Sequence, residues 1–386
     1  MKYERIHESG LELLIQILFK DKICNYFSVV MQVQKKAISL FSGCGGDTLG
    51  LERAGYKVVA FSEFNKASIA THLANFPDSE HIVDPISKNA DITKIPNTVF
   101  AKYKDTIDVI FSGFPCQGFS RGGKRKATDP RNQMFQQFVR ATDQIKPRFI
   151  IGENVTGLVS MKSGPNEDDP LMLDIIRQAF RQIGYELTYK VLEANEYGVP
   201  QKRKRILIVG WKSGEFDVAS YWAAVAAHGT AKALPRMRSF ITKSMDGAFL
   251  MTPQILPQGF RDVALEVPDD AAVEGKPHPF VELKANERLL SCSKRDSPVH
   301  SEIINLDNPS KTIICTYDHQ PRLLLGLKKP NGHCYSRTLL PLELKQIQGF
   351  PADFIVTGST KEQITQIGNA VPPQLVEAVA TVLKGL

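Results

Sequence analysis

The feature that most constrains this chain is a short apolar run that ends in glycines. Residues 37–41 (AISLF) carry no charge and lead into Gly43-Cys44-Gly45-Gly46, after which a helix runs through Leu49, Leu51 and Ala54. A brief, continuous apolar run reads as a strand buried on both faces. A glycine turn between such a strand and a helix lets a ligand approach the backbone closely. The end of the first strand is therefore a candidate ligand site.

The alternation continues downstream. Residues 56–62 (YKVVAFS), 107–112 (IDVIFS) and 148–151 (RFII) predict strands. Helices are predicted around Ile69 and Leu73, over 133–144 and over 171–183, and residues 185–192 and 205–210 predict an antiparallel pair. This order predicts an α/β domain with a largely parallel sheet. From Trp211 to about residue 305, prolines and glycines abound without a period, which predicts an inserted second domain of short strands and loops. A helix over 342–347 follows, and a last helix over 374–383 carries Leu375, Val376, Val379 and Leu383 on a face suited to docking onto a sheet. The expected division is an N-terminal extension (1–34), the first part of the α/β domain (35–210), the inserted domain (211–305) and a return to the α/β domain (306–386). In the extension, Leu11, Leu13, Leu14, Ile17 and Leu18 lie at helical spacing, while Met31 offers an alternative natural start. No function is assigned to it.

Composition narrows the class. A chain of 386 residues has room for two or three domains, and 42% hydrophobic with 23% charged residues excludes wholesale disorder. The net charge of +7 permits a polyanionic partner without requiring one. Six cysteines without a C-x-x-C pair argue against a disulfide framework or zinc ribbon, so no metal is expected. No apolar run approaches the ~20 residues of a membrane span. The apolar stretch at 11–19 follows acidic residues and does not read as a cleavable signal, so a cytoplasmic, unsecreted protein is expected.

Several polar residues fall at strand ends, where open α/β sheets bind ligands. Glu63 ends the second strand, where an acid can accept hydrogen bonds from ribose hydroxyls. Asp91 could meet an adenine amino group. The G-x-G-x-x-G pattern is matched by Gly43 and Gly45 but has Thr48 in third place. Alone, this element fits NAD, FAD, S-adenosylmethionine or an empty turn. Cys116 follows the strand at 107–112, next to a basic loop from Arg121 to Lys126 that could clamp phosphates and favour a thiolate. Glu153 ends the next strand, and a thiol beside a carboxylate suits covalent attack with proton transfer. Gln201, Arg203 and Arg205 alternate into the strand that follows and share one face.

Taken together these segments resemble the C5-cytosine DNA methyltransferases. Six match in order: Phe41-Ser42-Gly43-Cys44-Gly45-Gly46; Ser62-Glu63-Phe64; Gly113-Phe114-Pro115-Cys116-Gln117-Gly118-Phe119-Ser120; Gly152-Glu153-Asn154-Val155; Tyr197-Gly198-Val199-Pro200-Gln201-Lys202-Arg203-Lys204-Arg205; and Gln366-Ile367-Gly368-Asn369-Ala370-Val371-Pro372. Arg337-Thr338-Leu339 through Gln348-Gly349-Phe350-Pro351 looks like the family's penultimate motif. The resemblance implies a Rossmann-like S-adenosylmethionine-dependent domain with a smaller target-recognition domain. It implies attack of Cys116 on C6 of a flipped-out cytosine in a specific duplex sequence, with Glu153 on the N3/N4 edge. Arg205 would hold O2 with Arg203 beside it, and Gln117 and Ser120 would lie in the loop that closes over DNA. For the cofactor it implies Phe41, Gly43 and Gly45 around methionine and adenine, with Glu63 on the ribose. Phe64 would face the adenine, Asp91 and Ile92 its edge, and Asn369 and Val371 would complete the pocket. The product would be S-adenosylhomocysteine. Double-stranded DNA is the implied partner, with a cognate restriction endonuclease in the same system but in no stable complex, and no membrane.

Three rivals are weaker. The tRNA-modifying branch typically carries Pro-Pro-Cys-Gln and Cys-Phe-Thr, whereas here Phe114 precedes Pro115-Cys116 and Cys-Phe-Thr is missing. A silenced DNA-binding relative should lack the cysteine or Glu153, and both are present. A nicotinamide oxidoreductase leaves the later motifs unexplained.

Overall fold

A computed structural model of the protein describes residues 34–115, 134–212, 214–253, 256–276, 284–286, 289–291 and 302–386. The expected N-terminal helix and Cys116, Gln117 and Ser120 lie outside the described residues.

One seven-stranded sheet organises the larger core. Its strands are β1 (Lys36–Leu40), β2 (Lys57–Ser62), β3 (Glu80–His81), β4 (Val109–Ser112), β5 (Phe149–Val155), β6 (Tyr185–Glu193) and β8 (Lys204–Lys212), in the order β3-β2-β1-β4-β5-β8-β6. A two-residue strand, β7 (Gln201–Lys202), stands apart and pairs with a later segment. The first five strands of that order are parallel; β8 runs antiparallel to β6, as the sequence predicts, and also to β5. Ala37, Ile38, Ser39 and Leu40 are all fully buried, so both faces of β1 are covered.

The sheet is covered by α1 (Gly46–Arg53), α2 (Lys66–Asn75), α3 (Phe135–Ile145), α4 (Met172–Gln182), α5 (Val218–Thr230) and the last helix, α8 (Pro373–Lys384). Two shorter helices, α6 (Pro341–Ile347) and α7 (Thr360–Asn369), precede it. Leu375, Val376, Val379 and Leu383 of α8 are buried in the same apolar cluster as Ala37 of β1. The approach of α1 to α8 demands glycine: a Cβ on Gly50 would lie 2.4 Å from the Pro373 carbonyl oxygen and 2.7 Å from Val376 Cβ.

A smaller sheet joins β9 (Phe249–Leu250), β10 (Leu265–Glu266), β13 (Glu302–Ile303), β15 (Leu323–Lys328) and β16 (Cys334–Thr338). Between them, β11 (Lys284–Asn286) and β12 (Leu289–Ser291) form an antiparallel hairpin, and β14 (Ser310–Lys311) pairs in parallel with β7.

The expected domain limits shift at both ends. Helix α5 lies past residue 211, yet Tyr221, Trp222 and Val225 are buried in the large core, and the Tyr221 hydroxyl donates to the Val379 carbonyl at 3.1 Å. At the other limit, β15 and β16 lie past 305 but form the middle of the small sheet. Leu325 and Leu327 pack with Met237, Ile241, Leu344 and Ile367, so α6 and α7 belong with this second core. Leu323, Leu325 and Leu327 of the apolar run face this core, whereas Leu324 packs with Met251 and Phe260 on the other face.

Candidate active site

The glycine turn after β1 folds through left-handed backbone. Gly43 has φ 54° and Gly45 φ 87°, and Phe41 also has positive φ (55°). A Cβ on Gly43 would meet nothing within 4 Å, whereas one on Gly46 would lie 2.4 Å from the Val371 carbonyl oxygen. The turn is thus open on one side and pressed against the C-terminal segment on the other. Cys44 is sealed inside, and burial pushes its thiol up to about 12, so it is not the reactive cysteine.

Glu63 closes the neighbouring wall. Its Oε2 accepts from Gly43 N at 2.9 Å, and its Oε1 accepts from Phe64 N and Asn65 N, both at 2.8 Å. The Phe64 side chain beside it is 74% exposed, a large apolar ring left free to face a ligand. Val371 is buried against the turn and Asn369 is exposed at the end of α7. Ile92 is buried in the same cluster as Leu40, with Phe41 packed against it. Asp91 is exposed and caps a short turn by accepting from Thr93 N at 3.0 Å.

The reacting end lies two strands away. Asn154 donates to the Phe114 carbonyl at 3.1 Å, which ties the end of β4, just before Cys116, to β5. Glu153 and Arg205 are diagonal neighbours across β5 and β8, because Leu207 pairs with Glu153 and Arg205 with Val155. Arg205 Nε lies 2.8 Å from Glu153 Oε1, and the two side chains are 14% and 13% exposed. A Cβ on Gly113 would stand 3.8 Å from Glu153 Oε2 and 3.7 Å from the Phe41 carbonyl oxygen. Gly113 is therefore the point where the glycine turn, the end of β4 and the Glu153 carboxylate converge. Burial pushes the Glu153 carboxyl above its ordinary value, and the charges of Arg205 and Arg203 pull it partly back.

Arg203 sits differently from the place that alternation gave it. It is fully buried, with Nη1 donating to the Ile313 carbonyl and Nη2 to those of Gly368 and Ala370, each at 3.0 Å. It ties β8 to the C-terminal turn that carries Asn369 and Val371, so its place is that of an internal strut. Gln201 is likewise buried and bridges Ile313 N and Gln348.

Two polar residues near the site escape sequence reasoning. Ser39 of β1 donates to the buried Asp47 of α1, whose Oδ1 has no partner among the described residues. Burial, with a smaller contribution from the Glu153 charge, pushes Asp47 up to about 7. Ser42, within the glycine turn, is bonded to the buried His72. An aspartate in a first helical turn and a histidine in a helix carry no local signal of such roles.

The described residues hold no group of three or more His, Cys, Asp or Glu able to ligate a metal ion, and no described helix is long and apolar enough to cross a membrane.

The profile of the family described as C-5 cytosine-specific DNA methylase matches residues 35–249 and 278–385. The chain belongs to that family. Among its curated relatives, the Type II methyltransferase M.PspPI of Psychrobacter sp. is 30% identical over 368 residues, covering 94% of this chain and 82% of the relative. The Type II methyltransferase M1.HphI of Haemophilus parahaemolyticus is 29% identical over 352 residues, 89% of this chain and 85% of the relative. Among solved structures, a DNA modification methyltransferase encoded within an Escherichia coli prophage superposes with a TM-score of 0.60 at 22% identity, covering 92% of this chain and 99% of that one. The S. pombe Dnmt2 methyltransferase also gives 0.60, at 16% identity, with 91% and 99% covered. At these identities the structures show the shared fold. Members of this methylase family draw their methyl group from S-adenosylmethionine.

Proposed function

We propose that this protein methylates C5 of a cytosine within a specific sequence of double-stranded DNA, with Cys116 as nucleophile and Glu153 and Arg205 as its partners. The observation that carries this reading is the Glu153–Arg205 pair, mostly buried between β5 and β8 beside Gly113 and the glycine turn.

The wall at Gly43, Glu63 and Phe64 suits S-adenosylmethionine. It offers open space over a glycine, a carboxylate fixed by backbone N–H groups and an exposed aromatic face. When bound there, the cofactor supplies an electrophilic methyl group. Asp91 and Ile92 would border the adenine edge, and Asn369 and Val371 would close the pocket.

C5 of cytosine is a weak nucleophile until electron density is pushed onto it. The Cys116 thiolate adds to C6, and the displaced electron pair makes C5 nucleophilic. A raised Glu153 carboxyl holds a proton near neutrality more readily than an ordinary one. It can donate to N3 as charge builds on the ring. Arg205 orients Glu153 and presents positive charge toward O2. After C5 is methylated, loss of its proton returns the electron pair to the ring and expels the thiolate. The base must leave the duplex first, at a cost of a few kcal/mol, and Gln117 and Ser120 belong to the loop that would hold it out. A restriction endonuclease of the same specificity, acting without a stable complex, is the proposed counterpart, and the cytoplasm the proposed compartment.

The test offers tritiated S-adenosylmethionine with duplex DNA and tRNA side by side, followed by bisulfite sequencing. Label at cytosines of one short duplex sequence is expected. Label in tRNA alone would overturn the DNA assignment.

A further inference from the structure

Beneath the cofactor wall lies a group that the reaction does not use. Phe61, buried on β2, is stacked by two imidazoles. His72 of α2 lies 3.7 Å away between ring centroids with planes 9° apart, and His81 of β3 lies 4.9 Å away at 20°. Each imidazole reaches a different wall of the pocket. His72 Nδ1 is 2.6 Å from Ser42 Oγ in the glycine turn. His81 Nε2 is 2.8 Å from the Glu63 carbonyl oxygen. A carbonyl can only accept, so His81 carries its proton on Nε2 and donates.

The tautomer of His72 follows from what it lacks. Its Nε2 is buried without a partner among the described residues. A buried N–H with no acceptor is rarer and costlier than a bare acceptor, so the proton belongs on Nδ1, donating to Ser42 Oγ. Burial also pushes His72 down to about 3, which keeps it neutral at ordinary pH. The ring bounds the turn as well: a Cβ on Gly45 would lie 3.3 Å from His72 Nδ1 and 2.7 Å from Phe76 Cε2.

We propose that His72 and His81, stacked on Phe61, are positioning residues that set the gap between the glycine turn and Glu63, and so the affinity for S-adenosylmethionine, without touching DNA or the reacting base. This rests on the cofactor reading given above.

Two pairs of variants test it. His72→Phe and His81→Phe keep an aromatic ring on Phe61 and remove one hydrogen bond each. His72→Asn and His81→Gln restore an N–H at the position of the lost nitrogen. S-adenosylhomocysteine binding is measured by calorimetry, beside kcat and the KM for S-adenosylmethionine and for duplex DNA. Each Phe variant is expected to lose about five- to tenfold in S-adenosylhomocysteine affinity, the worth of one neutral hydrogen bond. KM for S-adenosylmethionine should rise in step, kcat and KM for DNA should stay within about twofold, and the amide variants should recover most of the loss. Phe variants that bind like wild type, that lose cofactor and DNA affinity equally, or that the amides fail to rescue would each overturn the inference. Wild-type protein that does not bind S-adenosylhomocysteine would instead overturn the cofactor reading, and this inference with it.

Discussion

Two arginine–glutamate pairs in this molecule share the same chemistry and differ in surroundings. Arg337 and Glu343 meet at 2.8 Å with both side chains fully sealed in the second core. Every N–H of Arg337 is engaged: Nε by Ser244, Nη1 by Thr338 and Glu343, Nη2 by Thr242 and Glu343. Glu343 also accepts from Thr242 N and Leu340 N, both at 2.9 Å. Arg205 and Glu153 meet at the same 2.8 Å but keep partial exposure. Beyond Glu153, Arg205 donates to the Lys204 carbonyl. A saturated pair fixes β16 to the start of α6. A pair that keeps partial exposure is accessible to a ligand.

That contrast is broken most severely at the reacting end. Cys116→Ser should lower methyl transfer by at least about a thousandfold while duplex binding changes little. Glu153→Gln should lower the rate about 10²- to 10⁴-fold, the range for a lost proton-transfer group, with a small change in thermal midpoint. Single-turnover rates and melting curves on the same preparations check both. A Glu153→Gln protein that stays active but melts early would reverse the assignment of the two pairs.

The sealed pair should behave the opposite way. Glu343→Gln strands part of the Arg337 charge in the interior, so it should cost about 3–5 kcal/mol of stability. Urea unfolding measures this directly, and activity should vanish only as the fold does. Replacing both Arg337 and Glu343 by apolar residues of similar volume should destabilise less than either single change.

Smaller effects sharpen the picture around the turn. Glu63→Ala should weaken S-adenosylmethionine binding about tenfold or more, with less effect on DNA, because the carboxylate proposed to take the ribose also accepts from three backbone N–H groups. Equal cofactor affinity in calorimetry would count against that role.

Asp47 gives a pH-dependent case. Its folded value, about 7, lies above the ordinary 3.8, so the folded protein holds this proton more tightly than the unfolded chain. Stability from this group is therefore fully present below about pH 4 and is lost as pH rises toward 7. Asp47→Asn should flatten that slope and be more stable than wild type at pH 8 by about 1–3 kcal/mol. Identical pH slopes for the two proteins would show that Asp47 ionises normally in the fold.

Much of this was legible in the sequence because it depends on local pattern. The run 37–41 and its glycines define a buried strand and turn. The adjacency of the β4 and β5 ends, on which the Cys116–Glu153 reading depends, follows from the parallel order, and β4 pairs with β5 in register. Depth was not legible. Alternation through Gln201, Arg203 and Arg205 gives a shared face, but cannot tell a fully buried strut from a pair that keeps slight exposure. The run 323–327 is continuously apolar and lacks a period that would say which sheet it joins, so its place in the second core waited on the pairing of β15 with β16. Helix α5 was hidden because its alanine-rich stretch follows the sheet directly, and its cap at Asp217 becomes clear from the bond to Ser220 N at 3.0 Å.

The most direct measurement uses duplex DNA carrying 5-fluorocytosine at the target. Fluorine at C5 cannot leave as a proton does, so an enzyme that attacks C6 and methylates C5 stays bonded to the base. The account predicts a denaturation-stable protein–DNA adduct that requires S-adenosylmethionine, maps to Cys116 by peptide mass spectrometry and is missing in Cys116→Ser. Wild-type protein that binds the cofactor and methylates normal cytosine yet forms no adduct, or one that maps to another residue, would contradict it.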